Sequence, residues 1–206
     1  MRISRPRAVF FGLLLALPIG CTSMGKEPSA LPVMRWDHRP EASIWTARTL
    51  AAVDAHGSTL SDTVPADIAT WCPGYPTASE TEREAFWSGI LSALAKHEST
   101  WNPKASGGGG QWIGLLQISP GTARGFGCSA TTSSALKDGA SNLTCAVQIA
   151  AVQVGKDGLV AGNGTRGLGR DWAPFRNKSK RAEMAAWTRA QSYCQPKRPK
   201  LGSLAG

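Results

Sequence analysis

The segment "HESTWNP" (His97–Pro103) closes an apolar run with a carboxylic acid. Phe86, Ile90 and Leu94 recur at intervals of four, and residues four apart share one face of a helix. The next member of that series is Glu98, while Trp87 and Leu91 widen the same stripe. A carboxylate facing a core is costly, and its usual relief is a raised pKa that keeps the proton on. Such a group, held protonated near neutral pH, can act as a general acid. A glutamate that merely slips to solvent at a frayed helix end would show the same spacing, so the pattern suggests a site without establishing one.

The residues that follow carry more. "ESTWNPKAS" and, after the glycine run Gly107–Gly110, "GLLQISPGTA" (Gly114–Ala123) resemble the first two motifs of the lytic transglycosylases with a lysozyme-like fold. Glu98-Ser99, Asn102-Pro103, Gly114-Leu115-Leu116-Gln117-Ile118 and Pro120–Ala123 match, with Leu116 where that family has methionine. The resemblance continues through "LKDGASNLTCAVQIAA" and covers roughly Trp71 to Cys194. The family's third motif, Ala-Tyr-Asn, is reduced to Ala161-Gly162-Asn163; Tyr75 and Tyr193 are the chain's two tyrosines and neither lies there.

The resemblance implies cleavage of the bond between N-acetylmuramic acid and N-acetylglucosamine in peptidoglycan, with formation of a 1,6-anhydro sugar. Glu98 would protonate the leaving oxygen and then take the proton of the sugar's own 6-hydroxyl. Hydrolytic glycosidases normally need two carboxylates. After Glu98 the chain has Asp138, Asp157, Asp171 and Glu183, none in a segment that reads as a second catalytic position. Ser99, Gly114, Leu115, Gln117, Asn163 and Trp172 are the expected substrate-binding residues. Ser99 can orient the Glu98 carboxyl, and Gln117 offers both a donor and an acceptor to an N-acetyl group. Gly107–Gly110 either let the backbone approach a sugar or form a plain flexible loop, and Trp101, Trp112 and Trp172 are candidates for core packing first and for sugar platforms second. Two other readings stay open: a hydrolytic muramidase of the same fold, which would leave reducing ends, and a non-catalytic peptidoglycan-binding lipoprotein. "GNGTRG" (Gly162–Gly167) also fits a dinucleotide pattern, but no strand–turn–helix surrounds it. The sequons at Asn142, Asn163 and Asn177 read as chance.

These residues need a helical scaffold. Helices are expected over Glu41–Ala55, from Ser79 as N-cap with a Ser79/Glu82 capping box to about Thr100, after Ser119-Pro120, over about Ser141–Lys156 and over about Ser179–Tyr193. Residues 58–78, with Pro65, Pro73, Gly74 and Pro76, read as an irregular crossing segment. No strand alternation and no internal repeat is apparent. The expected fold is mainly α, lysozyme-like, with little or no sheet.

The chain has 206 residues, enough for one compact domain with extensions. Arg2, Arg5 and Arg7 precede an apolar run, Ala8–Ile19, that is too short to span a bilayer and suits a secretory signal. The run ends in "LPIGC", which resembles a bacterial lipoprotein signal with Cys21 as the lipidated residue, although Pro18 departs from the pattern. Five cysteines are odd in number for an exported chain. With Cys21 acylated, four remain, and three pairings are open. We expect Cys72–Cys194, tying the domain's ends, and Cys128–Cys145, closing a short loop.

The expected division is therefore 1–20 signal peptide, 21–70 tether and N-terminal helix, 71–195 catalytic domain, and 196–206 basic tail. Removing residues 1–20 takes away three arginines and no acids, lowering the net charge from +9 to +6. Export argues against nucleic acid as the partner of that charge; the expected partners are peptidoglycan strands and, through the lipid, a membrane. A secretion, conjugation or wall-remodelling machine is a further possible partner. The expected location is the periplasm, anchored at the outer membrane or else soluble. No metal-ligand spacing is present, and no cofactor is expected.

Overall fold

The computed structural model describes residues 30–197. The segment expected to be a signal peptide, Cys21 and residues 198–206 lie outside it. Seven α-helices carry the fold among the described residues: α1 (Ala42–Ala55), α2 (Ile68–Trp71), α3 (Glu80–Ser99), α4 (Pro120–Gly125), α5 (Ser133–Leu136), α6 (Gly139–Asp157) and α7 (Lys178–Arg189). Two two-residue strands, β1 (Ser106–Gly107) and β2 (Trp112–Ile113), pair antiparallel with Ser106 opposite Ile113. The chain is mainly α, and the hairpin is too short to show alternation in sequence.

α3 is the central helix. Ser79 caps it as expected: its hydroxyl accepts from the Glu82 amide, and the Glu82 carboxylate accepts from the Ser79 amide at 2.6 Å. Every residue from Ala85 to Ala95 is buried, so the stripe seen in sequence is one side of a helix enclosed on all sides. Small residues make that possible; a Cβ at Gly89 would lie 2.3 Å from the Tyr193 hydroxyl oxygen. α1 packs against α6 and α3, and α7 packs against α3 and α2. Thr100 and Trp101 follow α3 in left-handed conformation (φ 51° and 56°), and Trp101 is fixed by its indole N–H donating to the Ser92 carbonyl at 2.9 Å. That turn ends the helix one residue after Glu98-Ser99.

Three boundaries differ from expectation. The compact unit begins at Leu31, inside the stretch from Thr22 to about Pro40 expected to be tether. Met34 and Trp36 are buried, and Trp36 packs edge-on against Trp45 with ring centroids 5.9 Å apart. Apolar side chains at these positions have more to gain in the core than in water. α6 starts two residues early because the Asp138 side chain accepts from the Ser141 amide at 2.8 Å. α7 stops at Arg189, and Ser192–Cys194 form a separate 3₁₀ turn.

Cys72 is bonded to Cys194 and Cys128 to Cys145. The first bridge joins the end of α2 to the turn after α7; the second joins the loop after α4 to α6. No described helix is long and apolar enough to cross a membrane.

Candidate active site

Glu98 occupies the last turn of α3, half-buried, where the enclosed helix emerges. It opens into a cavity of about 380 Å³ lined by His97, Glu98, Ala173, Pro174, Asn177 and Lys180. No hydrogen bond holds its carboxyl among the described residues. Burial raises its pKa from 4.5 to about 7, and the Lys180 ammonium only partly opposes the rise. A carboxylic acid that keeps its proton near neutral pH follows. No second carboxylate lines this cavity.

The neighbouring acids are occupied elsewhere. Glu183 on α7 accepts from Arg35, from Lys96 at 2.9 Å and from His97 at 2.8 Å. The Arg35 guanidinium holds its carboxyl well below the usual range. Asp157 is held low by Arg170 and accepts from the Gly167 amide at 2.7 Å. Asp138 is the cap of α6. Asp171 takes an N–H from Gln153 at 2.7 Å, and burial of its carboxyl raises its pKa.

The segment Gly114–Gln117 forms a tight turn between Ile113 and Ile118, which exchange backbone hydrogen bonds at 3.1 and 3.0 Å. Gly114 has φ 80°, and a Cβ there would sit 2.2 Å from the Leu136 carbonyl oxygen and 2.4 Å from the Asn142 side-chain nitrogen. Only glycine fits. Asn142 holds the turn: its amide nitrogen donates to the Ile113 and Leu136 carbonyls (2.9 and 3.0 Å), and its oxygen accepts from the Leu116 amide at 3.0 Å. Nothing but a sequon marked Asn142 in the sequence, yet it is fully buried. The turn then meets α3, because the Ser99 hydroxyl donates to the Leu115 carbonyl at 2.8 Å.

The expected binding residues therefore divide. Ser99 does not orient the Glu98 carboxyl; it ties the helix end to the turn. Leu115 is fully buried and belongs to the core. Gly114 shapes the turn. Trp172 is 3% exposed and donates its indole N–H to the Leu116 carbonyl at 3.0 Å, so packing displaces the platform role. Trp112 is instead the exposed tryptophan, at 48%. Its ring packs directly on Gly108 (φ 54°), where a Cβ would lie 2.2 Å from it, so only glycine allows the ring this seat. Gln117 remains in the cleft: it, Trp112, Asp171 and Trp172 line a narrow cavity of about 70 Å³, and its amide donates to the Gly114 carbonyl at 2.9 Å. A wider cavity of about 490 Å³, lined by Trp112, Ser119 and Arg124 among others, adjoins it. Asp171 and Trp172 border the Gln117 cavity, and the next two residues, Ala173 and Pro174, border the Glu98 cavity.

Asn163 is exposed, accepts from the Thr165 hydroxyl at 3.0 Å, and does not line the Glu98 cavity. Its loop is anchored by Asp67, whose carboxylate accepts from the amides of Val160 (2.6 Å), Ala161 (3.0 Å) and Gly162 (2.7 Å). Gly162 has φ 56°, a conformation that a tyrosine would adopt only with strain. Sequence reasoning missed Ala173, Pro174, Asn177 and Lys180, because they approach Glu98 only through folding. Three carboxylates able to share a cation, Asp54, Glu80 and Glu84, cluster at the other end of α3, about 27 Å along its axis from Glu98.

A mainly α chain with a carboxylic acid in a cleft beside a glycine-rich hairpin is consistent with a lysozyme-like fold. Residues 76–158 match the family model of the transglycosylase SLT domain. Solved structures of DslA share the fold. Wild-type DslA is 27% identical with a TM-score of 0.72, and two glutamate-to-glutamine mutants of DslA are 28% and 26% identical with TM-scores of 0.73 and 0.72. In each case 81% of this chain and all of the other are covered. Comparison with curated proteins gave no match.

Proposed function

We propose that the protein is a peptidoglycan lytic transglycosylase that cleaves the MurNAc–GlcNAc bond and leaves a 1,6-anhydroMurNAc end. One observation carries the reading: Glu98 stands unpaired in its cavity with a pKa of about 7, and no other carboxylate lines that cavity. The protonated Glu98 gives its proton to the glycosidic oxygen as the C1–O bond breaks. The resulting carboxylate accepts the proton of the 6-hydroxyl of the same muramyl residue as that oxygen bonds to C1. Glu98 ends protonated, no water enters the products, and one residue serves as acid and then base. A water-activating second carboxylate would have to stand about 6.5–9.5 Å across the bond, and a nucleophile about 5 Å.

Trp112 supplies a flat apolar face for a sugar ring, and Gln117 supplies a donor and an acceptor for an N-acetyl group. Mass spectrometry of muropeptides released from purified sacculi tests the reaction. Anhydro ends are expected; reducing ends would assign the protein to the hydrolytic muramidases, and binding without release would make it non-catalytic.

Lipid on Cys21 would hold the mature protein at the periplasmic face of a membrane, the outer membrane being the expected one. The "LPIGC" segment and the pairing of the other four cysteines support this. The mature protein should partition into detergent and an exported Cys21→Ser form into the aqueous phase. Identical partitioning would refute the anchor.

A further inference from the structure

The walls of the Glu98 cavity carry an unbalanced charge. His97 is engaged by Glu183, and that carboxylate is already bound by Arg35 and Lys96. Ala173 and Pro174 are apolar. The Asn177 side-chain oxygen accepts from the Lys180 amide (3.0 Å) and the Ser179 hydroxyl (2.8 Å) as the cap of α7, so its NH₂ group is left to face a ligand. Among the described residues, Lys180 forms no ion pair. Glu98 must be protonated, and so neutral, to act as an acid. In its working state the cavity therefore offers one ammonium, one amide and no anion.

A neutral sugar gives that ammonium nothing to pair with. In a peptidoglycan strand the N-acetylglucosamine units are uncharged, whereas every muramyl unit bears a lactyl ether ending in a carboxyl group. That carboxyl is free on strands stripped of peptide and amide-linked on strands that keep a stem, whose own carboxylates lie farther out. We infer that Lys180, assisted by Asn177, binds a carboxylate borne by the muramyl residue that Glu98 acts on, and so makes the cavity selective for muramyl over uncharged glycan. This rests on the reading of Glu98 as the general acid.

Binding separates the selectivity from the reaction. In the Glu98→Gln background, which keeps ligands intact, tryptophan fluorescence titration would be run with four glycans: stripped strands, stripped strands with the lactyl carboxyl reduced to an alcohol, stem-bearing strands, and a neutral chitooligosaccharide. Lys180→Met should weaken binding of carboxylate-bearing strands about fivefold, as an accessible ion pair allows. It should leave the reduced strands and the chitooligosaccharide unchanged, and Lys180→Arg should retain most of the affinity. A loss on stripped strands identifies the lactyl carboxylate; a loss confined to stem-bearing strands identifies a stem carboxylate. Equal weakening of charged and neutral glycans, or none of either, overturns the inference. A parent protein that makes no anhydro ends while Lys180→Met still discriminates would sink the proposed reaction and keep the binding site. A protein that binds none of the four glycans would overturn both.

Discussion

Replacing Glu98 by glutamine should remove activity and raise stability, with a pH dependence that reports on the site. The carboxyl's pKa rises from 4.5 to about 7 on folding, and each factor of ten in proton affinity is worth 1.36 kcal/mol. The ceiling of the effect is therefore roughly 3 kcal/mol; partial exposure reduces it to about 1–3 kcal/mol. Because the folded value is the higher one, this group's favourable contribution is complete below about pH 4.5 and lost as pH rises through about 7. Above that, the parent holds an ionised carboxylate where desolvation disfavours it, and glutamine does not. Glu98→Gln should match the parent's melting temperature near pH 4 and exceed it by about 3–10 °C at pH 8, at roughly 2–4 °C per kcal/mol for a domain of this size. Circular dichroism melts from pH 4 to 8.5 measure this, and turbidity clearance of sacculi measures turnover on the same samples. Turnover should fall about 10²–10⁴-fold, and the parent's kcat/KM should decline as pH rises through about 7. A melting difference that does not change with pH would refute the buried, unpaired state of the carboxyl. Near-parental sacculus digestion by Glu98→Gln would refute its catalytic role.

The two tryptophans of the cleft should behave oppositely: Trp112→Ala should weaken glycan binding about five- to tenfold with little change in melting, whereas Trp172→Ala should cost about 3–5 kcal/mol in urea denaturation. Asn142→Ala leaves the Leu116 amide and the Leu136 carbonyl unpaired in the core and takes one of two donors from the Ile113 carbonyl. It should cost about 3 kcal/mol or more, and a loss below 1 kcal/mol by denaturant titration would show that the turn holds without it. Cys72→Ala/Cys194→Ala opens a far longer loop than Cys128→Ala/Cys145→Ala. On the chain-entropy account the costs are about 4–5 and about 3 kcal/mol, and a reversed order in thermal melts would contradict that account here.

Local rules were enough to write much of the scaffold into the chain. The Ser79/Glu82 box fixes the start of α3 through two neighbouring hydrogen bonds, and the spacing of Phe86, Ile90 and Leu94 carries the helix to Glu98. The four cysteines Cys72, Cys128, Cys145 and Cys194 marked the two places where the chain is tied. These features depend on neighbours three or four residues away, or on a residue type with one dominant chemistry. What the cleft contains was decided by packing. Trp101, Trp112 and Trp172 are the same residue type, but burial against Leu116 makes Trp172 a packed wall of the Gln117 cavity, while Trp112, seated on Gly108, stays exposed. Asn142 shows in the sequence only as a chance sequon and becomes the buried support of the Gly114–Gln117 turn, because only the approach of α6 brings its amide to three backbone groups. Lys180 lies 82 positions after Glu98 and meets it only when α7 packs on α3. Charges act through space, so no spacing along the chain could show which cation would face the acid, or that every other acid near it would already be paired.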